Sequence, residues 1–102
     1  SDSSNKTALQ VLDEVVAALT AHNILIILNN HNTDAGWCCD ILDGSGVWYN
    51  SRYPESDWIS SLRDLSERYK DNPYVAAFDI RNEPRASLNT GQYPVWADTK
   101  TF

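Results

Sequence analysis

The sequence predicts an α/β chain built on parallel strands. Two short apolar runs, Ile24–Leu28 and Val75–Phe78, are each preceded by a stretch of helical periodicity and each followed by a polar cluster. The second helical stretch lies between the two runs, so the order helix, strand, long loop, helix, strand contains a strand–helix–strand unit. Such a unit crosses over right-handed and brings the carboxyl ends of both strands to one side. With 102 residues the chain is long enough for one small domain with a modest core.

From Ala8 to His22, Leu9, Leu12, Val15, Val16 and Leu19 recur at helical spacing, with Gln10, Asp13 and Glu14 on the other side. Thr7 or Asn5 can cap the start, and Asn23 can take the left-handed turn at the end. The uniformly aliphatic run Ile24–Leu28 suits a strand covered on both faces. The chemistry then changes to Asn29-Asn30-His31-Asn32, a cluster of amides and one imidazole. These groups supply donors and acceptors of the kind a polar ligand such as a sugar requires.

Thr33 to Glu55 keeps neither a strand nor a helix period. Long irregular loops are functional or disordered, and the aromatic residues Trp37, Trp48, Tyr49 and Tyr53 argue against disorder here. The segment reads as a cleft wall with a turn at Asp43-Gly44-Ser45-Gly46. Either Trp37 or Trp48 is offered to a ligand in that cleft, or these rings anchor the loop. Cys38 and Cys39 are adjacent. Neighbouring Cα atoms across a trans peptide lie ~3.8 Å apart, below the ~4.4 Å usual for a disulfide, so each is expected to pair elsewhere or stay a thiol. His31, Cys38 and Cys39 lack a fourth ligand at a recognisable spacing, and no metal site or cofactor is expected.

Ser56 is the expected cap of a second helix with the apolar stripe Trp58, Ile59, Leu62, Leu65 and Tyr69, and Asp57 complements its dipole. Arg63 with Glu67, and Asp64 with Arg68, form i,i+4 pairs on its wet face. Lys70 and Asn72-Pro73 close it. The strand from Val75 follows and gives way at Asn82-Glu83-Pro84, because Pro84 has no N–H to continue a ladder. Glu83 therefore stands at the carboxyl end of a parallel strand, where ligands bind in α/β proteins. A carboxyl group there is suited to proton transfer. The competing reading is an ion pair with Arg81 or Arg85. Beyond Arg85, Tyr93-Pro94-Val95-Trp96 reads as the approach to a further helix with Trp96 as its anchor.

The net charge of −6 argues against nucleic-acid and anionic-membrane partners, which call for clustered Lys and Arg. The longest apolar run, Ile24–Leu28, has five residues, far short of the ~20 a membrane helix needs. Ser1-Asp2-Ser3-Ser4 lacks the features of a signal peptide, while Asn5-Lys6-Thr7 is a glycosylation sequon that hints at a secretory route.

From about Leu9 to Arg85 the chain resembles glycoside hydrolase family 5, the cellulase family. The strand ending Asn82-Glu83-Pro84 resembles that family's fourth barrel strand. Ile24 to His31 resembles the third, which also ends in a His. Trp37-Cys38-Cys39, Asp43-Gly44-Ser45-Gly46 and Arg81-Asn82-Glu83 are similar to a fungal and plant branch. The resemblance implies that residues 1–102 are part of a glycoside hydrolase catalytic domain, a fragment of a (β/α)8 TIM barrel. A complete barrel takes ~250 residues, and this chain carries about a quarter of its strands.

It further implies hydrolysis of a β-linked oligo- or polysaccharide with retention, by a secreted enzyme. Glu83 matches the acid/base, Asn82 the residue bonding the sugar 2-hydroxyl, and His31 a neighbour in the subsite of the attacked sugar. Asn30 and Trp37 are the further substrate-binding candidates. The nucleophile is expected on the seventh strand, outside this sequence. Two positions depart from the common pattern: Asn30 stands where many members have Trp, and Pro84 where the similar branch often has Leu. The alternatives are a non-catalytic carbohydrate-binding module and a truncated fragment without activity of its own.

Overall fold

The computed structural model describes residues 5–86 and Gly91. Ser1–Ser4 and the Tyr93–Trp96 segment lie outside the described residues. Four elements follow in order: α1 (Ala8–Ala21), β1 (Ile26–Asn29), α2 (Glu55–Tyr69) and β2 (Val75–Asp79). The strands pair in parallel, with Leu28 opposite Phe78 and Asn29 opposite Asp79. This is an α/β arrangement of two helices and two parallel strands, as the order of elements predicts. None of the described helices is long and apolar enough to cross a membrane.

α1 starts where Thr7 predicts. The Thr7 hydroxyl accepts from the Gln10 N–H at 3.2 Å, and the Gln10 side chain accepts from the Thr7 N–H at 2.8 Å, a reciprocal capping box. Asn23, at φ 58°, makes the left-handed exit. α2 starts one residue before the expected cap. Pro54 occupies the cap position without a side-chain bond, and Ser56 lies inside the first turn. The proline ring presets φ, while Glu55 and Asp57 place negative charge at the helix's positive end.

Two apolar clusters meet along α2. Its C-terminal half contributes Leu65 and Tyr69 to a core with Val16, Ile26, Leu28, Leu12, Leu19, Val75 and Phe78. Its N-terminal half contributes Trp58, Ile59 and Leu62 to a second cluster with Val47, Trp48 and Tyr49. β1 departs from the expectation of two covered faces: Ile26 and Leu28 are buried, but Leu25 and Ile27 are 70% and 65% exposed. Both helices pack on one face, so among the described residues the other face has no layer over it. The pairing slips between Ile26, opposite Val75, and Ile27, opposite Ala77. That extra residue on β2 lets Val75 and Phe78, three apart, reach the same core.

The two helices are tied together by charge. Asp13 on α1 accepts from the Arg68 Nε at 2.7 Å and from the Tyr69 hydroxyl at 2.8 Å. Arg68 thus turns to a neighbouring helix instead of to Asp64, and Glu67 pairs with Lys70. Hydrogen bonds from Arg68 first, and from Tyr69 second, hold the Asp13 carboxyl down at about 2.

Candidate active site

The strand pairing runs on past the strands. The Asn30 N–H donates to the Asp79 carbonyl and the Asn82 N–H to the Asn30 carbonyl, both at 2.9 Å. His31 and Glu83 each follow one residue later, so they leave adjacent strands at the same carboxyl end. Both are exposed.

A relay of side chains orients His31. The Asn29 amide nitrogen donates to Asp79 Oδ2 at 2.6 Å, which leaves its carbonyl oxygen as an acceptor 2.7 Å from His31 Nδ1. A carbonyl only accepts, so Nδ1 carries a proton, and in the tautomer this selects Nε2 is the acceptor. Asn30 has a different task. It is half-buried, and its Oδ1 accepts from Arg81 Nη1 at 3.3 Å.

Glu83 adopts φ 39°, an uncommon conformation for a residue with a Cβ and one that neighbouring contacts must hold. Those contacts come from the arginines on either side. Arg81 is buried and donates to the carbonyl of buried Ser45. Arg85 pairs with Asp43, donates to the Asp40 carbonyl at 3.3 Å and reaches the Glu83 carbonyl at 3.4 Å. The Arg85 N–H also bonds the Gly46 carbonyl at 2.8 Å. Burial first, and Arg85 second, push the Arg81 guanidinium below its usual range, with Asp43 acting the other way. Neither arginine is paired with the Glu83 carboxylate; both fasten the long loop to the exit of β2. Their placement on both sides of Asn82-Glu83-Pro84 is the only sequence signal for this role.

The aromatic residues of that loop divide. Trp48 donates to Glu55 at 2.8 Å, packs with its ring tilted against Trp58 at 5.7 Å and is buried, so it anchors the loop. Trp58 donates to the Ile80 carbonyl at 2.9 Å and ties α2 to the chain leaving β2. Trp37 is 96% exposed.

The cysteines overturn one expectation: Cys38 and Cys39 are bonded to each other. The peptide between them is cis, with Cα atoms 3.2 Å apart, and the ~4.4 Å separation usual for disulfides between distant residues does not govern this neighbouring pair. The His31 ring nitrogen and the two sulfurs lie within 4.8 Å of one another. Joined sulfurs are not the thiolates that bind zinc, so this cluster is not a metal site in its oxidised form. The Asn82 amide nitrogen donates to Cys39 Sγ at 3.9 Å. The structure thus gathers His31, Asn82 and the disulfide, with Asn30 engaged beside them.

The family sequence pattern described as Cellulase (glycosyl hydrolase family 5) matches residues 1–101. The major extracellular endoglucanase of Xanthomonas campestris pv. campestris is 37% identical over 90 residues, 88% of this chain and 17% of that protein. An endoglucanase of Paenibacillus polymyxa is 40% identical over 85 residues, 81% of this chain and 20% of that protein. The solved catalytic domain of the Xanthomonas endoglucanase superposes with a TM-score of 0.67 at 36% identity, covering 83% of this chain and 23% of that one. The chain therefore spans about a fifth of the length of these relatives.

Proposed function

This chain belongs to glycosyl hydrolase family 5, the cellulase family, and from that premise we propose that it carries the acid/base side of a retaining β-glycanase site. The observation that supports this reading is the pairing of Asn30 with Asn82, which sets His31 and Asn82-Glu83 side by side at the ends of two parallel strands. Glu83 donates a proton to the glycosidic oxygen as the bond to the leaving sugar breaks. It then takes a proton from the water that releases the second product. Asn82 bonds the 2-hydroxyl of the attacked sugar, and His31, through its free Nε2, accepts from a hydroxyl of the same sugar. Exposed Trp37 offers a face on which a further sugar stacks.

Retention needs a second carboxylate ~5–5.5 Å from the acid, and in this reading a strand outside residues 5–86 supplies it. A β-linked glucan is the substrate that the endoglucanase relatives suggest. Secretion is supported by the relative named as extracellular, by exposed Asn5 in its sequon and by a disulfide, which persists in oxidising compartments.

The test is a chimera in which residues 5–86 replace the matching stretch of the Xanthomonas endoglucanase, with and without Glu83→Gln. Glu83→Gln is expected to cut hydrolysis of soluble β-glucan by about 100-fold or more. The loss should be far smaller for an aryl glycoside whose leaving group departs without a proton. Equal losses on both substrates would remove Glu83 from the acid role.

A further inference from the structure

We propose that the Cys38–Cys39 disulfide is a positioning device for Asn82 and forms the wall of the sugar subsite between Asn82 and His31. The inference rests on the reading above. Three observations carry it. The Asn82 amide nitrogen donates to Cys39 Sγ at 3.9 Å. Both sulfurs lie within 4.8 Å of a His31 ring nitrogen. Both cysteines are half-buried, next to the fully exposed Trp37 and on the loop that Arg81 and Arg85 fasten to the exit of β2.

A disulfide suits this place for a chemical reason. Two thiols would each turn about their own Cα–Cβ bond and would carry S–H donors that compete for sugar hydroxyls. Joined, the sulfurs lose that freedom and become a fixed, uncharged surface with a weak acceptor. An amide nitrogen carries two N–H groups. With one directed at Cys39 Sγ, the plane of the Asn82 amide is set, and the other N–H keeps a constant direction for the 2-hydroxyl. The same sulfur surface meets the apolar C–H face of the sugar.

Reduction is a balanced two-electron step. A dithiol such as dithiothreitol gives up two electrons and two protons, closes to its own cyclic disulfide and leaves two protein thiols. The positioning of Asn82 is then lost while Asn82, His31 and Glu83 themselves are unchanged.

The experiment compares aryl β-glycosides with and without the 2-hydroxyl, using the chimera with the Xanthomonas endoglucanase described above. The ratio of their kcat/KM values reads the bond from Asn82. Asn82→Ala is expected to shrink that ratio by about tenfold, the size of one net hydrogen bond. Reduction by dithiothreitol, or the double substitution Cys38→Ser with Cys39→Ser, should shrink it by a similar factor. Reoxidation should restore it, and adding Asn82→Ala to the double substitution should cost nothing more. The unsubstituted chimera measured before and after reversible reduction keeps the test valid if the serine variant does not fold. An unchanged ratio after full reduction, with Glu83→Gln still behaving as the loss of an acid, overturns this inference alone. A Glu83→Gln variant of undiminished activity removes the underlying reading and this inference with it.

Discussion

Arg81 and Arg85 stand on either side of Asn82-Glu83-Pro84, yet both guanidinium groups are directed at the loop. The consequence is chemical as well as structural. A guanidinium bonded to the Glu83 carboxylate would hold it as an anion and take it out of proton transfer. Committed to Ser45, Asn30, Asp40 and Asp43, the arginines fix the backbone around Glu83 and leave its side chain exposed. Gly46 makes this fastening possible. A Cβ at that position would lie 2.5 Å from the Arg85 carbonyl oxygen and 3.1 Å from the Ala86 carbonyl carbon and oxygen. These are backbone atoms and cannot rotate aside. Gly46→Ala should therefore push the loop off the exit of β2 and destabilise the fold by about 1–3 kcal/mol, as overpacking does. Thermal unfolding measures the loss, and an unchanged Tm would show that the loop gives way freely.

At the scale of elements, α1 and α2 are joined by the Asp13–Arg68–Tyr69 group as well as by apolar contact. Asp13 is held down at about 2, against an ordinary value of 3.8. Its contribution is therefore present above pH 4 and is lost as the pH falls through 4 toward 2. Tyr69 is raised, by burial first and by Asp13 second, which favours the neutral hydroxyl that donates to Asp13. Hydrogen exchange of α1 amides should accelerate between pH 4 and pH 2 beyond the intrinsic pH effect. Asp13→Asn should abolish that dependence. An α1 equally protected at pH 2.5 and pH 6 would show that apolar packing alone docks the helix. The pH-dependent part belongs to a partly exposed group, so it adds to the packing of Leu12, Val16 and Leu19 without replacing it.

On the scale of the whole molecule, both helices lie on one face of a two-stranded sheet, and Leu25 and Ile27 look out from the other. Parallel strands normally lie inside sheets covered on both faces, and among the described residues each strand keeps one unpaired edge. The 102-residue chain produced alone should therefore self-associate, bind a hydrophobic dye and show no turnover on β-glucan or mannan. Sedimentation velocity and a glycosidase assay check this. Leu25→Thr with Ile27→Thr should reduce the association while leaving the helical circular dichroism signal intact. Robust turnover that disappears in Glu83→Gln would mean that a second carboxylate comes from this chain or from another copy of it.

The features legible in the sequence alone are those whose causes are local. Helical spacing of Leu9, Leu12, Val16 and Leu19, the Thr7–Gln10 capping pair and the left-handed Asn23 each depend on residues within a few positions, and α1 follows from them. Topology carried the next step: one strand–helix–strand unit is enough to bring the ends of β1 and β2, and so His31 and Glu83, to the same side. What the tertiary structure decided depends on groups far apart in the chain. Arg68 had Asp64 within reach along its own helix and took Asp13, 55 positions away, because α1 packs there with the Tyr69 hydroxyl. An ion pair of Glu83 with Arg81 or Arg85 is the competing reading of the sequence, and the folded loop supplies Ser45 and Asp43 instead. The bond between Cys38 and Cys39 is a choice of partner that residue identity does not specify. Charge and sulfur choose among partners by distance in space, and distance in space is set only when the elements have packed.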